Sequence, residues 1–191
     1  MALNSTSLDV ICKVINTLNK ESLVKKRVIS LGYPDILTPK EDIGKLFGNE
    51  IVNELQFRED SDKIIRWHNV VNISEIVETV HFFSLLGYSL DILDISKVRG
   101  PEIIADLNEP ISEKLNEQYA LVIDAGTIEH CFNIGQAIKN LANMVCLNGY
   151  AFQSNPISMF ENGISFAVAY TDLLRQIFKV QPDAAFGYSM G

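Results

Sequence analysis

Hydrophobic residues follow two different spacings along this chain, and each spacing predicts one kind of element. Near the N-terminus, apolar residues recur at helical intervals, with Ser and Thr residues just ahead of them as candidate caps: Leu8, Ile11, Val14, Ile15 and Leu18. This pattern predicts an amphipathic N-terminal helix within residues 1–26, packed on the domain. Arg27–Leu31 is a short, mostly apolar run that predicts a buried strand, and Gly32 ends it.

The next segment, residues 38–71, begins with helix signals and then loses its periodicity. Thr38, Pro39 and Glu41 supply a cap, a proline at the first helical position and an acidic residue close behind, so they predict a helix to about Phe47. Mixed charges and scattered apolar residues follow. We therefore expect residues 38–71 to be an insertion or lid.

Strand patterns become frequent after residue 72. Asn72 and Glu75 form a capping-box pattern that predicts a helix ending at Gly87. Short apolar runs bounded by polar residues then predict four strands, at 88–94, 102–106, 120–124 and 150–154.

Helical patterns lie between these strands. Asn133 and Gln136 predict the start of one helix, and a last helical pattern covers residues 164–178. Because helices between short apolar strands imply right-handed crossovers, the pattern predicts an α/β fold. The expected architecture is a Rossmann-like, doubly wound, mainly parallel sheet with helices on both faces, in a single domain spanning residues 1–191.

Composition narrows the classes of function. The chain has 191 residues, 47% of them hydrophobic, and a formal net charge of −8, which disfavours a nucleic-acid binder. No apolar run approaches the roughly 20 residues of a membrane span, and no secretion signal opens the chain. Its three cysteines include no CxxC pair, so we expect neither disulfides nor a bound metal and favour a cytoplasmic protein. Nothing in the pattern predicts an oligomeric state.

Three predicted strands end in residues suited to ligand binding. Gly32 permits a sharp turn close to a ligand, although a lone glycine equally fits a simple strand-to-loop turn. Asp94 is placed to accept hydrogen bonds from ribose hydroxyls and is favoured over Asp91, which should lie at mid-strand. Capping or solvation is the alternative for Asp94. Asp106 is a candidate for contact with adenine or for an ordinary Asx turn.

The most informative stretch is Asp124-Ala-Gly-Thr-Ile-Glu-His130, which follows the predicted strand at 120–124. It contains a glycine-bearing turn and several polar side chains at the carboxyl end of a strand. Open α/β sheets bind their ligands at that edge.

These residues together resemble class I S-adenosylmethionine-dependent methyltransferases. The order Gly32, Asp94, Asp106 and the 124–130 stretch matches that family, as does the turn at residues 147–149 before the next strand. The resemblance covers roughly residues 28–178 and implies S-adenosylmethionine as cofactor and a small-molecule acceptor, such as a sugar hydroxyl. It further implies cofactor-binding residues, namely Gly32, Asp94, Asp106, Asp124, Ala125, Gly126 and Glu129.

His130 is the candidate catalytic base, because an imidazole suits proton removal near neutral pH. The alternative is a structural role, capping the helix that starts near Asn133 or bonding a backbone carbonyl. The sequence departs from the family in its long spacing between Gly32 and Asp94 and in its short continuation after residue 178. We therefore expect the C-terminal strands of the family's core to be missing or reduced.

Two further hypotheses compete with methyl transfer. The single-glycine loop and the short C-terminal segment favour a non-catalytic, methyltransferase-like binding or assembly module. A nicotinamide-dependent oxidoreductase is disfavoured, because the chain lacks a GxGxxG motif. Fold resemblance alone does not decide between these functions.

Overall fold

The computed structural model describes residues 2–21, 25–100 and 102–154. Six α-helices and seven strands are formed by these residues. The helices are α1 (Ser5–Leu18), α2 (Lys40–Phe47), α3 (Asn49–Glu54), α4 (Ser61–His68), α5 (Thr79–Leu85) and α6 (Ile134–Met144). The strands are β1 (Ala2–Leu3), β2 (Arg27–Leu31), β3 (Asp35–Ile36), β4 (Ser89–Asp94), β5 (Ile103–Ile104), β6 (Tyr119–Asp124) and β7 (Val145–Gln153).

Five of the strands form one parallel sheet in the order β5-β4-β2-β6-β7. The chain leaves β2 towards one edge to form β4 and β5, and then returns to the other side of β2 to form β6 and β7. The strand order therefore reverses between β2 and β6, which is the position where doubly wound sheets open a ligand crevice. The predicted Rossmann-like α/β fold is confirmed.

Both faces of the sheet are buried, as an all-parallel sheet requires. On one face, α1, α2 and α5 pack through Ile11, Ile43 and Phe82 against strand residues such as Val28. On the other face, α6 packs through Ile138 and its neighbours against another set of strand residues. Every residue of β6 is buried, which places this strand at the centre of the domain.

The predicted helix and strand of the N-terminal region are present, together with two features that were not predicted. Asn4, rather than a Ser or Thr, caps α1 by accepting a hydrogen bond from the Ser7 backbone N–H at 2.9 Å. The two-residue strands β1 and β3 pair in parallel to form a second, small sheet. That pairing was not predicted, because two residues carry no detectable periodicity.

Segment 38–71 forms a packed helical layer. The predicted helix is present as α2, but Thr38 does not cap it; the Thr38 hydroxyl donates to the Leu3 carbonyl at 3.2 Å instead. Helices α3 and α4 follow, and Ile43 of α2 and Ile51 of α3 pack in the same core cluster as α1. The segment therefore belongs to the layer that covers one face of the central sheet.

Three sequence-based boundaries are wrong. The helix predicted from Asn72 begins only at Thr79, with Glu78 as its cap, because the backbone of Val77 forms bridges to Ile36 and Phe57 and is extended there. The strand predicted at 102–106 pairs only at Ile103–Ile104. The turn predicted at 148–149 lies within β7, where the register with β6 shifts.

Glycine is required at position 149, within that irregularity, because there is no space for a Cβ atom. A Cβ there would lie 2.9 Å from the Cys146 carbonyl oxygen, closer than real Cβ atoms approach, and 3.0 Å from the Ala120 carbonyl oxygen, tighter than most real contacts. The predicted helix at 164–178 and the residues beyond it lie outside the described part of the chain. No helix formed by the described residues is both long and apolar enough to cross a membrane.

Candidate functional site

A cleft of about 320 Å³ opens at the carboxyl ends of β2, β4, β5 and β6. It lies at the point where the strand order reverses, as expected for this fold. Its lining combines strand ends, the segment that follows β5 and the turn that follows β6: Gly32, Leu93, Asp94, Ile95, Ala105, Asp106, Leu107, Asn108, Gly126, Thr127, His130 and Cys131. Five of the eight predicted site residues are among them, and Asp124, Ala125 and Glu129 are not.

Gly32 forms the turn at the end of β2. Its φ of 78° lies in the left-handed region, which favours glycine because other residues bring their Cβ into contact with the backbone. The Gly32 N–H donates to the Leu93 carbonyl at 2.6 Å, and the Ser30 hydroxyl donates to the Gly32 carbonyl at 2.8 Å. The turn is therefore joined to β4 and held in place beneath the cleft.

Asp94 ends β4 and is half-buried in the cleft wall. Its Oδ1 accepts a hydrogen bond from the Ser96 N–H at 2.9 Å, and no described residue hydrogen-bonds to Oδ2. Asp91, the competing carboxylate, instead pairs with Arg27 and accepts from the Tyr119 hydroxyl at 2.8 Å. The side chain available at the cleft is thus that of Asp94.

Asp106 follows β5, the strand next to β4, and lies in an Asx turn of the cleft lining. Its Oδ1 accepts from the backbone N–H and side-chain amide of Asn108 at 2.9 and 2.7 Å, and these bonds lower the pKa of Asp106. Asn108 in turn accepts from the N–H of Asn133 at 2.9 Å. Since Asn133 caps α6, this part of the cleft lining is fixed to the start of that helix.

Asp124 and Ala125 form the base of the turn after β6. Asp124 is fully buried, and its Oδ1 accepts from the Thr127 and Ile128 N–H groups at 2.8 and 3.3 Å. The Thr127 hydroxyl donates to the Leu31 carbonyl, which joins the turn to β2. The turn is therefore shaped by Asp124, while Gly126 and Thr127 reach the cleft.

Glu129 and His130 lie side by side in a 3₁₀ turn, Ile128–His130, that precedes α6. His130 Nε2 is 3.3 Å from Glu129 Oε1, and the His130 side chain is 78% exposed. Burial, and to a lesser degree the nearby Asp124, raises the pKa of Glu129, whereas His130 acts to lower it. His130 thus brings an exposed imidazole to the cleft lining.

No protein-family model, curated protein or solved structure matches this chain. The residues that line the cleft are therefore the basis for inferring the chemical class of its ligand.

Asn140 is a structural residue of the site that the sequence analysis missed. It lies on α6, is 1% exposed, and donates from Nδ2 to the carbonyls of Leu107 and Glu109 at 3.0 and 2.8 Å. Its Oδ1 accepts from Gln136 at 2.7 Å. The sequence pattern of a helix does not indicate that an asparagine within it makes such hydrogen bonds.

A buried ion cluster next to the cleft was also missed. Asp35 is fully buried, and its carboxylate accepts two hydrogen bonds from the Arg99 guanidinium, at 2.6 and 2.8 Å. His68 Nε2 lies 3.1 Å from the same carboxylate. Because Arg99 follows Asp94 and Ile95 along the same loop, the cluster ties that loop to β3 and α4.

Cys131 lines the cleft, but its surroundings do not activate its thiol. Burial, with smaller contributions from Asp124 and Asp106, raises its pKa, so the unreactive thiol form is favoured. Within the described ranges, no group of three or more His, Cys, Asp or Glu side chains is arranged to hold a metal ion.

Proposed function

We propose that this protein transfers a methyl group from S-adenosylmethionine to a hydroxyl group of a small molecule. The observation that supports this most strongly is the convergence of Gly32, Asp94, Asp106, Gly126 and His130 on one cleft at the reversal of the strand order. The cleft volume is at the lower end of the range found for small-molecule sites. Three free cysteines fit a reducing, cytoplasmic setting.

The cleft residues suit the parts of that cofactor. Asp94 and Asp106 each use one carboxylate oxygen within their own turn, which leaves the other oxygen of each for ligand hydroxyl or amine donors. In this proposal Asp94 binds the ribose and Asp106 lies near adenine. Gly32 lets the backbone approach the ligand, and Asp124 and Ala125 support the turn that carries Gly126.

His130 is proposed as the base. When bound, the cofactor supplies a methyl group carried on a positively charged sulfur. In this proposal the His130 imidazole would take the proton of the acceptor hydroxyl as its oxygen receives the methyl group from that sulfur. Glu129, 3.3 Å from the imidazole, stabilises the resulting positive charge.

A thermal-shift titration tests the proposal. S-adenosylhomocysteine should stabilise the protein by about 2.7 kcal/mol at one hundred times its dissociation constant, or about 5–10 °C in Tm. Asp94→Asn should remove most of this shift because it removes a carboxylate acceptor. Asp62→Ala is the matched control, since Asp62 is exposed on α4 and outside the cleft lining.

Two outcomes would contradict the proposal. A shift with NAD and none with S-adenosylhomocysteine would indicate a nicotinamide-dependent enzyme. Absence of a shift with either compound, in a sample with cooperative unfolding, would favour the non-catalytic binding or assembly module.

A further inference from the structure

Two buried polar atoms lack a hydrogen-bond partner among the described residues: Glu129 Oε2 and Gln153 Nε2. One is an acceptor and the other a donor. Because the large majority of buried side-chain polar atoms in proteins are paired, two unpaired atoms near one site call for an explanation.

Both atoms lie on the same side of the central sheet. Phe152 packs in the layer with α1, whereas Ala151 packs in the layer with α6. Because side chains alternate along a strand, Gln153 is on the α6 side. Glu129 follows Ile128, which packs in that same layer, and its carboxylate is near Asp124, the register partner of Gln153.

The turn after β6 connects the two positions. Gln153 is the register partner of Asp124, and the Ser154 N–H donates to the Asp124 carbonyl at 2.8 Å. A Cβ built on Gly126 would lie 3.8 Å from Glu129 Oε1 and 3.9 Å from the Ser154 carbonyl oxygen. These are ordinary van der Waals distances, so the space that a Gly126 side chain would occupy is bordered by Glu129 and the end of β7.

This space lies beside the cleft, on the side away from Asp94 and Asp106. Neither Glu129 nor Gln153 lines the cleft. In the sheet, β7 adjoins β6, whereas Asp94 ends β4 on the far side of β2. A group bound here would be close to His130, whose imidazole is 3.3 Å from Glu129.

We propose that Glu129 Oε2 and Gln153 Nε2 form a subsite for a hydroxyl group of the methyl acceptor. A carboxylate oxygen only accepts and an amide NH₂ only donates, so the pair fits a group that does both. A hydroxyl meets that requirement, whereas an ether only accepts. The assignment to the acceptor rests on the proposed methyl transfer, and it makes alcohols the substrate class.

Paired substitutions of two glutamines test whether the amide is unpaired. Gln153→Met removes a buried amide with no partner, so Tm should rise by about 2–4 °C. Gln136→Met is the matched control. It removes an amide that donates to Asn140 Oδ1 at 2.7 Å, so its Tm should fall. A fall in Tm for Gln153→Met similar to that for Gln136→Met would overturn the proposal.

The side-chain amide resonances of ¹⁵N-labelled protein test the ligand chemistry. Glycerol should shift the Gln153 resonances and leave those of Gln136 unchanged. The matched probe 1,2-dimethoxyethane, which has ether oxygens only, should shift Gln153 less. Equal shifts with both probes, or none with glycerol, would exclude a hydroxyl subsite.

Failure of the acceptor subsite can be distinguished from failure of cofactor binding. Gln153→Met should keep the full S-adenosylhomocysteine shift, since Gln153 is outside the cleft lining. Loss of that shift only in Gln153→Met would contradict an acceptor subsite. Absence of the S-adenosylhomocysteine shift in the unsubstituted protein would instead contradict the methyl-transfer proposal.

Discussion

Glu129 is a residue of this site whose surroundings raise its pKa. Its carboxylate is partly buried, one oxygen is unpaired within the described structure, and the buried Asp124 carboxylate is nearby. Burial is the main cause of its raised pKa, and His130 offsets only part of the effect. Keeping Glu129 ionised therefore costs stability, as binding residues commonly do in the absence of ligand.

The resulting prediction is a pH-dependent gain in stability for Glu129→Gln. In the unfolded chain Glu129 ionises near its ordinary value of 4.5, while in the folded protein it keeps its proton to higher pH. Its stabilising contribution is complete below 4.5 and is lost as the pH rises through the raised folded value. The Tm of the variant should therefore increase relative to the unsubstituted protein over this interval.

Thermal unfolding of both proteins at closely spaced pH values from about 4 to 7 measures the effect. Their difference isolates Glu129 from the other carboxyl groups. A difference that does not change with pH would show that Glu129 has an ordinary pKa.

Residues at strand ends were predictable because topology, rather than residue type, locates them. Gly32, Asp94 and Asp106 each follow an apolar run, and the carboxyl ends of parallel strands share one edge of the sheet. Gln153 was not predicted although it also ends a strand. Its distinguishing property is a buried amide nitrogen without a hydrogen-bond partner among the described residues, which depends on three-dimensional packing and has no sequence signal.

At the scale of elements, α6 supports one wall of the cleft. Its cap, Asn133, bonds to Asn108, and its buried Asn140 bonds to the carbonyls of Leu107 and Glu109. The segment between β5 and β6 is mostly irregular, so these contacts replace the ladder bonds that a longer strand would supply. The position of Asp106 therefore depends on a helix more than twenty residues further along the chain.

We predict that Asn140→Ala loosens this wall. The buried Leu107 carbonyl and the partly buried Glu109 carbonyl would lose their donor, at a cost of about 1–3 kcal/mol, and Tm should fall. The Ile111 amide, which donates to Asn140 Oδ1 at 3.4 Å, should exchange its hydrogen faster. Lys139→Ala, at the adjacent exposed position, is the control and should change stability by less than about 0.5 kcal/mol. Unchanged exchange at Ile111 in Asn140→Ala would contradict this role for α6.

The elements themselves were largely predictable, and the boundaries failed for identifiable reasons. Helix α1 and strands β2, β4 and β6 have long or strongly apolar patterns that packing reinforces. Helix α5 starts late because Val77 pairs with distant segments, and such pairing overrides a local capping pattern. Strand β5 pairs with β4 through Ile103 and Ile104 alone, and the chain after it turns into the Asx turn at Asp106.

For the molecule as a whole, the Asp35 cluster connects parts that the central sheet does not join. Asp35 belongs to the small β1–β3 sheet, His68 ends α4, and Arg99 lies in the loop after β4. The carboxylate is fully buried, so its charge must be compensated within the cluster. The loop that follows Asp94 at the cleft is consequently tied to β3 and α4.

Removing one partner should therefore destabilise the fold and weaken ligand binding together. Arg99→Met leaves the Asp35 carboxylate with only His68, at a cost of about 3 kcal/mol, and should reduce the S-adenosylhomocysteine shift. Arg66→Met, an exposed arginine of α4, is the control and should change stability by less than about 0.5 kcal/mol. The double variant Asp35→Asn with Arg99→Met removes both charges and should recover much of the lost stability, because the neutral amide is far less costly to bury. If the double variant is as unstable as the sum of the two single variants, the charges are not coupled and Arg99 stabilises the loop by packing alone.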